Sequence, residues 1–125
     1  MMHHFYETRP CGMLMGEQEG SIIALLQLNP TVGDIAGNAQ RLERFIRTAA
    51  ASGAVASVST ELAICGYPPR DLLMQPNFVE IAQQAVWELD VEIPSLIGTP
   101  TTPDHDRGKP GNGVALLGNK APVKI

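Results

Sequence analysis

"VSTELAICGYPPRDLL", Val58 to Leu73, sets one carboxylate, Glu61, between an apolar run and a turn that regular structure cannot cross. Upstream, "AVASVST", Ala54 to Thr60, reads as a short strand of small and β-branched residues that ends at Glu61. Downstream, Gly66, Pro68 and Pro69 forbid continuation. In open α/β sheets reacting groups gather at the carboxyl ends of strands, where loops can close over a ligand. Spacing alone leaves Glu61 with two readings, a general base or a turn cap that accepts backbone N–H groups.

The flanking elements fit such a sheet. "SIIALLQLN", Ser21 to Asn29, is a nearly unbroken apolar run and reads as a strand buried on both faces. After the loop "PTVGDIAGN", Asn38 is a candidate cap for a helix whose apolar positions Ala39, Leu42, Phe45, Ile46 and Ala49 recur every three or four residues. Arg41, Arg44, Arg47 and Thr48 take its other face, and Gly53 ends it as a left-handed residue. A second helix is expected from about Pro76 to Leu89, with Phe78, Ile81, Ala82, Ala85 and Leu89 as its core stripe. "SLIGT" gives a third strand, and "PTTPDHDRGKPGN" a mobile surface excursion. "GVALLGNKAPVKI" gives a hairpin, Val114 to Leu117 and Pro122 to Ile125, turning near Gly118 and Asn119. The order strand, helix, strand, helix, strand, strand defines an α/β fold with a sheet covered on at least one face. The sequence stops within its last strand, which reads as a truncated domain, so an unpaired edge and half a core are expected to drive self-association.

Composition narrows the class. The 125 residues suffice for one small domain, and 44% hydrophobic with 18% charged residues is ordinary for a globular chain. A net charge of −4 and no basic patch argue against a nucleic-acid partner. Two cysteines, Cys11 and Cys65, make neither a disulfide framework nor a metal cluster and suit a reducing cytoplasm. Residues 1–20 lack the apolar core of a signal peptide and the pattern of a transit peptide, and no membrane partner is expected. They read as a flexible leader ahead of a domain spanning 21–125, and Met13 or Met15 are alternative starts to Met1.

"LLQLNPTVGDIAGNAQRL", "TELAICGYPPRDLLMQPNFVE" and "NGVALL", in that order, resemble the amino-terminal glutaminase domains of glutamine-dependent NAD synthetases, within the nitrilase (carbon-nitrogen hydrolase) superfamily. The likeness covers about residues 22 to 125; "NPTVGDIAGN" and "GYPPRDLL" are the segments that point to the synthetase branch. The resemblance implies a four-layer α-β-β-α sandwich, of which this chain holds part, and a Glu-Lys-Cys triad. There the thiolate attacks the glutamine amide, the Glu is general base, and the Lys stabilises the developing oxyanion. It further implies ammonia delivery to a separate synthetase domain that uses ATP and magnesium to amidate deamido-NAD; the glutaminase part needs no cofactor or metal.

Carried over by position, Glu61 matches the triad glutamate and Tyr67 a tyrosine lining the glutamine pocket, with packing over Pro68 and Pro69 as the alternative for Tyr67. Asp71 matches the start of a short helix as a cap or anchor, and Gly66 supplies a backbone conformation. Thr60 departs from the proline common before the glutamate, which frees a backbone donor. Cys65 sits where the branch places a small buried residue, and the family's nucleophile and lysine follow later strands, so Cys65, Lys120 and Lys124 are not triad members. The chain alone is then expected to be inactive. "GKPGNG" has no Ser, Thr or helix after it and is no phosphate loop. Asn112 matches a family asparagine with a hydrogen-bonding role in the turn; His3, His4 and His105 have no partners at ligand spacing; Trp87 is core-edge packing or a subunit contact. The alternatives are another nitrilase-superfamily amidase, or a non-catalytic α/β interaction module.

Overall fold

The computed structural model describes residues 20–103, 108–118 and 121–124, the last four as backbone. Five strands, β1 (Ile22–Leu26), β2 (Ala54–Ser59), β3 (Ser95–Thr101), β4 (Gly111–Gly118) and β5 (Ala121–Lys124), form one sheet in sequence order. Strands β1, β2 and β3 run parallel; β4 and β5 return antiparallel. Helices α1 (Ile35–Ala51) and α2 (Phe78–Trp87) make the two parallel crossovers. Successive right-handed crossovers that advance the same way along a sheet lie on one face. The chain is therefore a two-layer α-β unit, half of the expected four-layer sandwich.

That one-sided cover overturns the expectation for the first strand. In β1, Ala24 and Leu26 are buried under the helices, whereas Ile23 is 37% and Leu25 41% exposed. Leu25 continues through Val58, Leu96 and Leu116 in register, and Val114 on the same side is 47% exposed. An apolar run specifies a strand that can be buried on both faces, but among the described residues only the helix side is covered by a second layer. The opposite side carries the exposed apolar residues Ile23, Leu25 and Val114.

On the helix side the core is Leu42, Phe45, Ile46 and Ala49 of α1 against Phe78, Val79, Ala82 and Val86 of α2 and Leu26, Ile97, Ala115 and Leu117 of the sheet. The α1 stripe agrees with its periodicity. The α2 stripe is rotated: Ile81 is 56% exposed on the flank toward α1, and Val79 and Val86 take the sheet-facing positions. Trp87 is half-buried and packs against the core edge. Within the sheet, Ser57 Oγ donates to Ser95 Oγ at 2.7 Å, and Ser95 Oγ donates to the Ile93 carbonyl at 2.9 Å, so this buried polar pair is satisfied.

The helix starts differ from expectation for a physical reason. Helix α1 is capped by Asp34, whose carboxylate accepts the Gly37 N–H at 3.0 Å. Asn38 lies inside the first turn, 1% exposed, and its amide works outward. Its Oδ1 accepts the Thr31 N–H at 2.9 Å, and its Nδ2 donates to the carbonyls of Thr31 and Ile64 at 2.8 and 3.0 Å. Arg41 likewise turns to the loop, donating to the Asn29 carbonyl and Thr31 Oγ1. Gly53 (φ +91°) follows the Ser52 cap as the left-handed residue expected there. Beyond "SLIGT", β3 extends through Pro100 and Thr101, whose backbones pair with Asn112 and Gly111. His105, Asn119, Lys120, Ile125, the side chain of Lys124, and residues 1–19 with His3, His4 and Cys11, lie outside the described residues.

Candidate active site

Strand β2 ends at Ser59, and the chain turns over three buried residues, Leu62, Ala63 and Ile64, leaving Glu61 exposed at the strand's carboxyl end. The turn is anchored on its far side. The Gly33 N–H donates to the Cys65 carbonyl at 2.9 Å, and Asn38 Nδ2 donates to the Ile64 carbonyl. Gly66 (φ +84°) is pressed on the Thr31–Val32 backbone, where a Cβ would lie 2.7 Å from Val32 Cα. Both the positive φ and the close approach require glycine there.

Glu61 opens into a hollow of about 370 Å³ on the uncovered sheet face, lined in part by Val58, Leu96, Gly98, Asn112 and Val114. Asn112 Nδ2 donates a short hydrogen bond to Glu61 Oε1. The expected role of Asn112 lies within its own turn; the β3–β4 pairing instead carries it to a carboxylate 51 residues away. A carboxylate hydrogen-bonded through Oε1 and lining a hollow that also includes Val58, Leu96 and Val114 can accept a proton from a group entering from that face. Among the described residues no cation pairs with Glu61, and no group of three or more His, Cys, Asp or Glu could hold a metal.

The other sequence candidates are not gathered there. Tyr67 is 63% exposed and does not line the Glu61 hollow. Asp71 is exposed in the first turn of a short 3-10 helix (Arg70–Met74) whose cap is Pro69. Cys65 is fully buried; burial raises its thiol from 9.0 to about 11, opposed by a backbone hydrogen bond. Its Sγ donates to the Gly66 carbonyl at 3.6 Å. At neutral pH it is an inert thiol.

This burial has a pH consequence. Between pH 9 and 11 the unfolded chain releases the Cys65 proton while the folded chain keeps it, so folded-state stability falls as pH rises through that window. The loss is on the order of 2 kcal/mol at about 1.4 kcal/mol per pH unit. Urea midpoints measured from pH 8 to 11 should drop more for the parent than for Cys65→Ala; parallel curves would contradict the assignment.

The Glu61 carboxylate thus lies at the end of a parallel strand on the open side of the α-β layer, and the chain matches a known family. Residues 22–102 match that family, Carbon-nitrogen hydrolase, and the chain belongs to it. Within the family it is similar to glutamine-dependent NAD(+) synthetases. The Synechocystis protein of that name is 45% identical over 93 residues, covering 71% of this chain and 16% of that protein. The Cytophaga hutchinsonii synthetase structure superposes with TM-score 0.72 at 24% identity, over 80% of this chain and 17% of that one. An amidase from Nesterenkonia sp. shares the fold at TM-score 0.65 and 22% identity, over 78% of this chain and 38% of that one. The resemblance read from "NPTVGDIAGN" and "GYPPRDLL" is thus borne out, and the chain spans about a sixth of the Synechocystis relative's length. Among the described residues no helix is long and apolar enough to cross a membrane.

Proposed function

We propose that residues 21–125 are the amino-terminal part of a glutamine-hydrolysing domain that supplies ammonia for ATP-dependent amidation of deamido-NAD. The observation that carries this is Glu61, held by Asn112 in a hollow on the uncovered face at the carboxyl end of β2. The similarity to glutamine-dependent NAD(+) synthetases supports glutamine as the substrate. Glu61 is the general base, and Tyr67 contributes to the glutamine pocket when that pocket is assembled. ATP and magnesium serve the synthetase domain alone, and the compartment is the cytoplasm.

Cys65, the free cysteine among the described residues, is buried and protonated at neutral pH, so on this reading Glu61 is the base and the nucleophile is supplied elsewhere. Acyl transfer from glutamine needs a thiolate to form the thioester and a cation at the carbonyl oxygen. These come from chain packed over the bare sheet face, completing the sandwich. The purified 125-residue chain should therefore release no ammonia from glutamine. A chimaera in which residues 22–118 replace the corresponding segment of the Synechocystis synthetase should release it. Turnover by the short chain, or a folded but dead chimaera, would overturn the reading.

Without that second layer, the bare surface carrying Ile23, Leu25 and Val114 is expected to pair with a second copy. Light scattering on the 125-residue chain should report a dimer or larger species, and the double variant Leu25→Glu, Val114→Glu should shift it to monomer. A monodisperse parent monomer would refute self-association through this face.

A further inference from the structure

The peptide that carries Glu61 lies across a strand at the one point where that strand has no side chain. A Cβ built on Gly98 of β3 would sit 2.4 Å from the Thr60 carbonyl oxygen, 2.6 Å from the Leu62 nitrogen and 3.1 Å from the Glu61 carbonyl carbon. Real Cβ atoms essentially never approach within 3.0 Å, and all three obstacles are backbone, so no rotamer change relieves them. Gly98 is not among the residues with positive φ. Its need for glycine is therefore steric, unlike that of Gly66.

Two hydrogen bonds fasten the same crossing. The Gly98 N–H donates to Ser59 Oγ at 2.9 Å, and the Gly98 carbonyl accepts from the Ile64 N–H at 3.4 Å. They bracket the turn on both sides of Glu61. Between them Leu62 adopts φ +48°, a left-handed conformation that a branched side chain holds only when its surroundings impose it. Leu62 is itself buried, 4% exposed, so the turn is pinned from below while the Glu61 side chain projects to Asn112.

We infer that Gly98 is a positioning residue for Glu61: its bare Cα is the seat that sets the height of the Thr60–Leu62 peptide over the sheet, and so brings the carboxylate within reach of Asn112. The catalytic relevance of this seat rests on the reading of Glu61 as the base. A methyl at Gly98 must lift the peptide until its contacts exceed 3.0 Å. Because Asn112 is fixed independently, paired through β4 to Pro100 of β3, the lift separates donor from acceptor instead of moving them together.

The test reads the hydrogen bond rather than turnover. In the ¹⁵N-labelled 125-residue chain, the Asn112 side-chain amide resonance in the parent marks the bonded state, and in Glu61→Ala the free state. Gly98→Ala should move this resonance to the free position while the Ile97 and Thr99 backbone amides stay protected from exchange. A protected β3 with the Asn112 resonance unmoved would overturn the proposal. If Gly98→Ala loses that protection, Ser59→Ala, which removes the tether's acceptor without adding bulk, decides: a shift of the Asn112 resonance toward the free position supports the seat, and no shift overturns it. A Glu61 that proved non-catalytic in the chimaera would leave this result unchanged, so the two failures are distinguishable.

Discussion

Replacing Glu61 with glutamine in the chimaera should lower ammonia release from glutamine by about 10²- to 10⁴-fold, the contribution of a positioned general base. Glutamine keeps the shape of the side chain, and its Oε1 can still accept from Asn112 Nδ2, so the turn and the hollow survive. What is lost, on the proposed reading, is the second carboxylate oxygen that would take the proton. The effect corresponds to about 3–5 kcal/mol of transition-state stabilisation at ~1.4 kcal/mol per tenfold. It should fall on kcat, with KM for glutamine little changed, because the missing interaction arises only as the proton moves. Glu61→Asp should fall between the two, since its carboxylate is retained but drawn back by one methylene from Asn112. The decisive measurement is steady-state ammonia release for parent, Glu61→Gln and Glu61→Asp. Unchanged kcat in Glu61→Gln would return Glu61 to the role of a turn cap.

The parts of this site that were legible in the sequence are those whose causes are local. Gly53 and Gly66 sit where a helix ends and a turn needs positive φ, and both conformations are present. The α1 stripe is legible because Leu42, Phe45, Ile46 and Ala49 share one face at helical spacing whatever lies opposite. The exposed flank position of Ile81 was not legible, since the stripe of α2 is fixed by which side the sheet occupies. The same holds for β1: Ile23 and Leu25 advertise a strand able to be covered twice, but not how much cover a given stretch of chain provides. The link from Asn112 to Glu61 depends on strand order and register over 51 residues, which periodicity does not encode. One signal was available for Gly98, a glycine inside an otherwise β-forming "SLIGT", which marks close backbone approach.

Asn38 is the clearest case of tertiary contact overriding a local rule, and its removal should cost more than removal of the helix cap Asp34. Asp34 and Asn38 are both good helix caps by residue type, yet only Asp34 caps. Asn38 is 1% exposed and ties the loop after β1 to the turn after β2, through its bonds to both backbone groups of Thr31 and to the Ile64 carbonyl. Alanine at Asn38 leaves the buried Ile64 carbonyl and the Thr31 N–H without these partners, at about 1–3 kcal/mol for each group that water does not reach. The sum over both groups, about 2–6 kcal/mol, exceeds the ~1 kcal/mol expected for Asp34→Ala at the cap. It would consume a large share of the stability of a small domain, typically about 5–15 kcal/mol. Asn38→Asp should be no better than alanine: it keeps an acceptor for Thr31 N–H but sets a carboxylate against two carbonyl oxygens in place of the Nδ2 donor. The loss reaches the site, because Ile64 lies three residues beyond Glu61 and its N–H also bonds Gly98. Urea unfolding should therefore rank the parent above Asp34→Ala and Asp34→Ala above Asn38→Ala, with amide exchange at Ile64 accelerated in the last. Equal midpoints for the two variants would mean that water replaces the Asn38 amide, and that the anchoring of the Glu61 turn lies in the Gly33–Cys65 and Gly98 contacts instead.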